Sequence, residues 1–158
     1  MSNDLTITAP EGLPFVDFTR EFDAPVERVF LAHKDPELFT KWNGPRGYEM
    51  DLPEYDFSTG GHYRFVHRDP QGNEYRFRGV FHTVRDNEFA VQTFEYDGVP
   101  DAVSIEFLTF ERLDGNRTRL VGHAVYPTLE ARDGMVASGM EGGMRDGYEK
   151  LEEAITIL

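Results

Sequence analysis

Residues 15–22, FVDFTREF, alternate strictly: Val16, Phe18, Arg20 and Phe22 fall on one side and Phe15, Asp17, Thr19 and Glu21 on the other. That period of two predicts a strand with one buried face. The period then lengthens. In PVERVFLAH, Val26, Val29, Phe30 and His33 recur at helical spacing, with Pro25 suited to a first turn. DPELFTKWNG follows with Asp35 as N-cap, Pro36 at the first helical position and Gly44 just past the end. Two short helices are therefore expected after the first strand. From about Gly47 to Val125 the alternation returns in six aromatic-rich runs, parted by the turn clusters STGG, DPQGN, RDN, DGVPD and DGNR. These connections are too short for parallel crossovers, which predicts an antiparallel meander and seven strands in all. After Pro127 a single helical stripe runs through Val136, Met140, Met144, Tyr148, Leu151 and Ile155.

Helices segregated from an antiparallel sheet make an α+β fold. Seven twisted strands curl, and the long final helix must bury its stripe on the concave face, an arrangement that leaves space between them. Residues 1–14 are polar, hold two prolines and show no sustained period, so they read as a flexible N-terminal arm ahead of one domain over residues 15–158. The final helix is oddly built. GMVASGMEGGMRDGY, residues 134–148, contains five glycines and three methionines, and an interior glycine costs a helix roughly 1 kcal/mol relative to alanine. Methionine is an adaptable side chain favoured at pliable apolar surfaces, so the helix reads as the wall of a pocket as well as plain core.

Composition narrows the partners. With 29 acidic against 16 basic residues the formal charge is −13, which opposes nucleic-acid phosphates and anionic membranes. There is no cysteine, so disulfides, thiolate catalysis and Cys-ligated metals are excluded. MSNDLTITAPEGLP has neither a basic n-region nor an apolar run, so no signal peptide or membrane span is expected and the expected location is the cytoplasm.

The ordered set FDAPVERVFLAHKDPELFTKWNGPRG, the glycine pair of FSTGGHYRF, DPQGNEY, RGVF and GMEGGMRDGYEKLEE resembles bacterial proteins of the activator of heat-shock protein 90 ATPase homologue family. That family lies within the START-like helix-grip superfamily, and the likeness runs from about Phe15 to Leu158. It implies the helix-grip fold with a cavity under the C-terminal helix that takes apolar small molecules. It implies no catalytic set. One departure is that Asn43 follows Trp42 where many relatives carry a second tryptophan.

Alternation in HYRFVHR turns Tyr63, Phe65 and His67 inward, and in the next run Tyr75, Phe77, Gly79 and Phe81, with the glycine leaving room beside an aromatic wall. With Trp42 at the end of the second helix and Met140, Met144 and Tyr148 on the last, these give the expected ligand-binding residues: Trp42, Tyr63, Phe65, His67, Phe77, Phe81, Met140, Met144 and Tyr148. The competing reading of each is plain core packing. No two or three histidines or carboxylates fall at a metal-ligand spacing, so neither a metal nor a cofactor is expected. His67 and His123 are the candidate catalytic bases. Glu106, between Ile105 and Phe107, is expected on the outer face. Three readings result: a binder of a small apolar molecule, a cyclase- or hydratase-type enzyme using a cavity histidine, and a chaperone-contacting ATPase regulator associated with the stress response. A homodimer stays open.

Overall fold

The computed structural model describes residues 3–157 and places along them β1 (Thr6–Thr8), β2 (Phe15–Phe22), α1 (Val26–Lys34), α2 (Pro36–Trp42), β3 (Glu49–Tyr55), β4 (His62–Arg68), β5 (Glu74–Arg85), β6 (Phe89–Tyr96), β7 (Ser104–Leu113), β8 (Arg117–Val125), α3 (Leu129–Ala137) and α4 (Met140–Thr156). The strands form one antiparallel sheet in the order β1-β2-β8-β7-β6-β5-β4-β3. The meander from β3 to β8 is therefore as expected, and β8 returns to pair with β2. The segment α1–α2 carries the chain from β2 to the far edge, where β3 begins.

Local chemistry fixes the element ends. Asp35 Oδ1 accepts from the backbone N–H groups of Glu37 (2.8 Å) and Leu38 (3.4 Å), capping α2 with Pro36 at its first position. Between β7 and β8, Gly115 (φ +74°) and Asn116 (φ +55°) take left-handed backbone, which a tight hairpin needs and which Gly and Asn adopt most readily.

The sheet has eight strands, not seven. The extra strand, β1, lies within the residues read as a flexible arm: it pairs with β2 through Ile7↔Phe18, and Leu5 ahead of it is buried. Three residues are too few to show a period, and the edge of β2 supplies the pairing that the segment's own sequence does not announce. The arm is docked a second time, because the buried Arg132 of α3 donates through Nη1 to the carbonyls of Pro10 (2.8 Å) and Phe15 (3.0 Å). Met1, Ser2 and Leu158 lie outside the described residues.

The C-terminal helix is two helices. Gly139 takes φ +89° and divides α3 from α4, so the stripe expected from Val136 begins later. Val136 is exposed, while Tyr148, Leu151 and Ile155 are buried. Gly134 meets nothing within 4 Å, whereas a Cβ on Gly147 would stand 3.1 Å from the Trp42 carbonyl oxygen. That one glycine allows α4 to lie close on α2. Farther along, Glu152 accepts from Arg20 Nη1 at 2.6 Å and ties α4 to β2. The core joins Phe22, Val29, Phe30, Trp42, Phe81, Leu120, Leu151 and Ile155.

Leu151 and Gly134 should respond in opposite directions in urea unfolding. Leu151→Ala is expected to cost about 2–5 kcal/mol by opening a cavity in a fully buried position, and Gly134→Ala to gain about 0.5–1 kcal/mol by restricting the unfolded chain.

Candidate functional site

The register turns Tyr75, Phe77, Gly79 and Phe81 of β5 to the same face as Tyr63, Phe65 and His67 of β4, as the alternation predicts. Half of this surface is solid. Tyr63, Phe65 and Phe81 are buried, Phe57 and Phe81 meet edge to face with centroids 4.8 Å apart, and Tyr63 Oη donates to the Thr93 carbonyl at 2.6 Å. Gly79 does not leave empty room, because a Cβ there would lie 2.6 Å from the Tyr63 ring. Its cross-strand partner Tyr63 fills the space. Trp42 is also buried: its indole N–H donates to the Ala32 carbonyl (2.8 Å), and its ring stacks on Tyr148 with centroids 5.6 Å apart. It fastens α1, α2 and α4 together.

The rest of the face is less closed. Phe18 of β2, Phe77 of β5, Gln92 and Phe94 of β6, and Glu106 of β7 all keep accessible surface, as do Met140 and Met144 of α4. Glu106 is the residue that pattern reasoning misplaced. The inward residues of β7 are Ser104, Glu106, Leu108 and Phe110, while Ile105 is 44 % exposed. Phe107 packs on the outer face against His123, with ring centroids 6.0 Å apart. Since β7 carries large apolar side chains on both faces, Ile105 and Phe107 suggested the wrong phase. Leu108 and Phe110, two and four residues on from Glu106, were the available signal.

Gln92 Nε2 donates to Glu106 Oε1 at 3.0 Å across the β6–β7 pair. Burial raises the Glu106 pKa to about 7 against the partial relief of that hydrogen bond. Burial also raises the phenol pKa values of Tyr63, Tyr126 and Tyr148, and the nearby Glu106 charge raises them further. Among the described residues His33 Nε2 is the one sealed side-chain polar atom without a partner. Glu106 Oε2 and the Tyr126 and Tyr148 hydroxyls have no hydrogen-bond partner either, so they keep surface that a water-sized sphere can reach. Both hydroxyls lie within the electrostatic reach of Glu106.

The two candidate catalytic histidines are not brought together. His67 faces inward, where Asn43 Oδ1 accepts from its Nε2 at 3.0 Å. Burial, with Lys150 adding to it, lowers its pKa to about 4, so it is neutral at pH 7. Three strand spacings of about 4.8 Å separate its strand from that of Glu106. His123 stands on the outer face, hydrogen-bonded through Nδ1 to Asp17 and packed on Phe15 at 5.0 Å between centroids. His33 Nδ1 donates to the Val29 carbonyl at 2.8 Å, and burial lowers its pKa to about 4. The described residues contain no cluster of three or more His, Asp or Glu able to hold a metal.

The profile of the family described as "Activator of Hsp90 ATPase homolog 1-like protein" matches residues 23–156. The chain belongs to this family. Among solved structures, this family member is similar to a Rhodobacter sphaeroides protein at 26 % identity and TM-score 0.89, covering 98 % of this chain and 99 % of that one. An Arthrobacter aurescens protein is similar at 23 % identity and TM-score 0.87, covering 97 % and 92 %. A Silicibacter pomeroyi protein titled AHSA1 is similar at 22 % identity and TM-score 0.73, covering 90 % and 98 %. These likenesses show a shared START-like α+β fold. No functionally curated protein matches the chain at a significant level. No helix among the described residues of this family member is long and apolar enough to cross a membrane.

The Glu106 pKa gives a pH signature. Its folded value, about 7, lies above the ordinary 4.5, so ionising it costs folded-state stability that is lost progressively as pH rises between those values. The near-isosteric Glu106→Gln escapes this cost. Its stability relative to the parent should rise by about 2 kcal/mol between pH 5 and pH 8 in urea unfolding, whereas parallel pH profiles would show a carboxyl of ordinary pKa.

Proposed function

We propose that this protein binds a small molecule with an apolar body in a space between α4 and the middle of the sheet, acting as a single domain in the cytoplasm. One observation carries the reading: inward-facing side chains of β2, β6 and β7, namely Phe18, Gln92, Phe94 and Glu106, keep accessible surface, as do the half-buried Met140 and Met144 of α4. A helix packed solely for stability would cover them. Of the expected ligand-binding residues, Phe77, Met140 and Met144 belong to the open part, and His67 stands at its β4 end. Trp42, Tyr63, Phe65, Phe81 and Tyr148 form the rigid wall behind it. Small-molecule sites of this kind are mainly apolar with a few fixed polar groups, and the methionines of α4 supply an adaptable side.

A second reading has its own support. A carboxyl with a pKa near 7, hydrogen-bonded to an amide in an apolar setting, is suited to proton transfer at neutral pH. Glu106 is therefore a better acid or base for a cyclase- or hydratase-type reaction than His67, whose lowered pKa of about 4 makes it a weak base. A chaperone contact rests on the family's description alone.

Thermal-shift screening with apolar and amphipathic compounds, followed by native mass spectrometry, tests the binding reading. A ligand at a hundred times its Kd should raise Tm by on the order of 5–10 °C. Met144→Trp, which fills the space from the helix side, should fold normally and lose that shift. A panel that leaves Tm unmoved, with the bare chain mass recovered for protein isolated from cells, would contradict it.

A further inference from the structure

Several of the half-buried and buried carboxylates of this chain are answered by cations or by several N–H groups. Glu21 meets Arg117 at 2.7 Å, Glu95 meets Arg78 at 3.0 Å, Glu152 meets Arg20 at 2.6 Å, and Asp69 accepts from the Gln71 and Asn73 backbone and the Asn73 and Tyr75 side chains. Glu106 differs: its single protein hydrogen bond comes from Gln92, and no ion pair reaches it among the described residues. Among the described residues neither its Oε2 nor the hydroxyl of Tyr148 has a hydrogen-bond partner; Tyr148 lies within the electrostatic reach of Glu106, and its ring stacks on Phe18 at 5.7 Å between centroids. A carboxylate in apolar surroundings is costly until a positive charge or strong donors meet it.

A cation answers this site better than the alternatives. Aromatic faces attract an ammonium, and the half-buried Phe18 and Phe94 supply rings there. An anion would meet Glu106 directly and also the formal charge of −13, which instead raises the local concentration of cations. A neutral alcohol would satisfy a hydrogen bond and leave the charge unmatched. We propose that the space between α4 and the sheet takes an organic monocation, an amine on an apolar body, with its ammonium on Glu106 Oε2 between Gln92 and Tyr148 and its body against Phe94 and Met144. This deepens the binding reading and rests on it.

The groups facing Glu106 are Gln92 from β6, Tyr63 from β4, Tyr126 just past β8 and Tyr148 from α4; Arg132 acts on Tyr126 and Arg20 on Tyr148. The phenols stay neutral below pH 9, because burial raises their pKa values. Near neutrality the proton on Glu106 is then the competitor of the amine. Amine affinity should tighten about tenfold from pH 6 to pH 8, as a carboxyl titrating near 7 empties.

Octylamine, octanol and octanoate, matched in chain length, test the class on the full chain by calorimetry at pH 8. Octylamine is expected to bind one to one and at least tenfold tighter than octanol, with octanoate weakest. Glu106→Gln should bring octylamine to within about twofold of octanol measured on the same variant, and circular dichroism would check that the variant is folded. The pH dependence measured on the unaltered chain stands independently of the variant. Octanol or octanoate binding as tightly as octylamine would overturn the amine assignment while leaving the binding reading intact. Octylamine binding that persists undiminished in Glu106→Gln would assign the attraction to the surface charge and overturn it too. Failure of all three probes to bind would remove the binding reading itself.

Discussion

Trp42 is the point on which the helical layer depends. Its N–H is held by the Ala32 carbonyl, its face lies on Tyr148, and its backbone carbonyl comes within 3.1 Å of the Cβ that Gly147 lacks. A larger residue at 147 would push α4 off α2. The same contact sets how α4 stands over the sheet, since α1 and α2 are the elements it packs on most extensively. The C-terminal half of α4 gains a second anchor in Arg20–Glu152 at 2.6 Å and a third in the buried Leu151 and Ile155. Its N-terminal half has glycine at 142 and 143 and the half-buried Met140 and Met144. The helix is firmly held at one end and adaptable at the other.

That asymmetry divides the concave face in two. Under the anchored half, and toward β4 and β5, aromatic rings meet each other at 4.8–5.8 Å between centroids and leave no room, with Tyr63 filling the place a side chain on Gly79 would take. On β6 and β7, Gln92, Phe94 and Glu106 keep accessible surface. Dehydration is the largest influence on the titratable groups within and acts in opposite directions: His33 and His67 are lowered to about 4 and stay neutral, while Glu106 is raised to about 7. Glu106 is thus the interior group whose charge changes near physiological pH. A fold that needed only stability would be served by an apolar residue at that position.

Much of this was legible in the sequence because strong local signals agreed with the tertiary result. Strict alternation placed Val16, Phe18, Arg20 and Phe22 inward, and Asp35 with Pro36 marked the start of α2. The misreadings have physical causes. The three residues of β1 are shorter than any usable period and depend on an edge offered by β2. The division between α3 and α4 turns on the left-handed backbone of Gly139, one glycine among several in that stretch. The phase of β7 was ambiguous because Phe107 and Ile105 are apolar on the outer face, where Phe107 packs on His123, which also meets Phe15. Glu106 was consequently assigned outward, and the polar feature of the interior was missed.

A high-resolution crystal structure of the unliganded protein, with the region between α4 and the sheet traced at the level of single waters, tests the account most directly. A continuous volume bounded by Phe18, Phe94, Glu106, Met144 and Tyr148 is expected, with an ordered water or a co-purified molecule hydrogen-bonded to Glu106 Oε2. Met144 and Phe94 in van der Waals contact, with Oε2 sealed against a protein donor and no volume beside it, would contradict it.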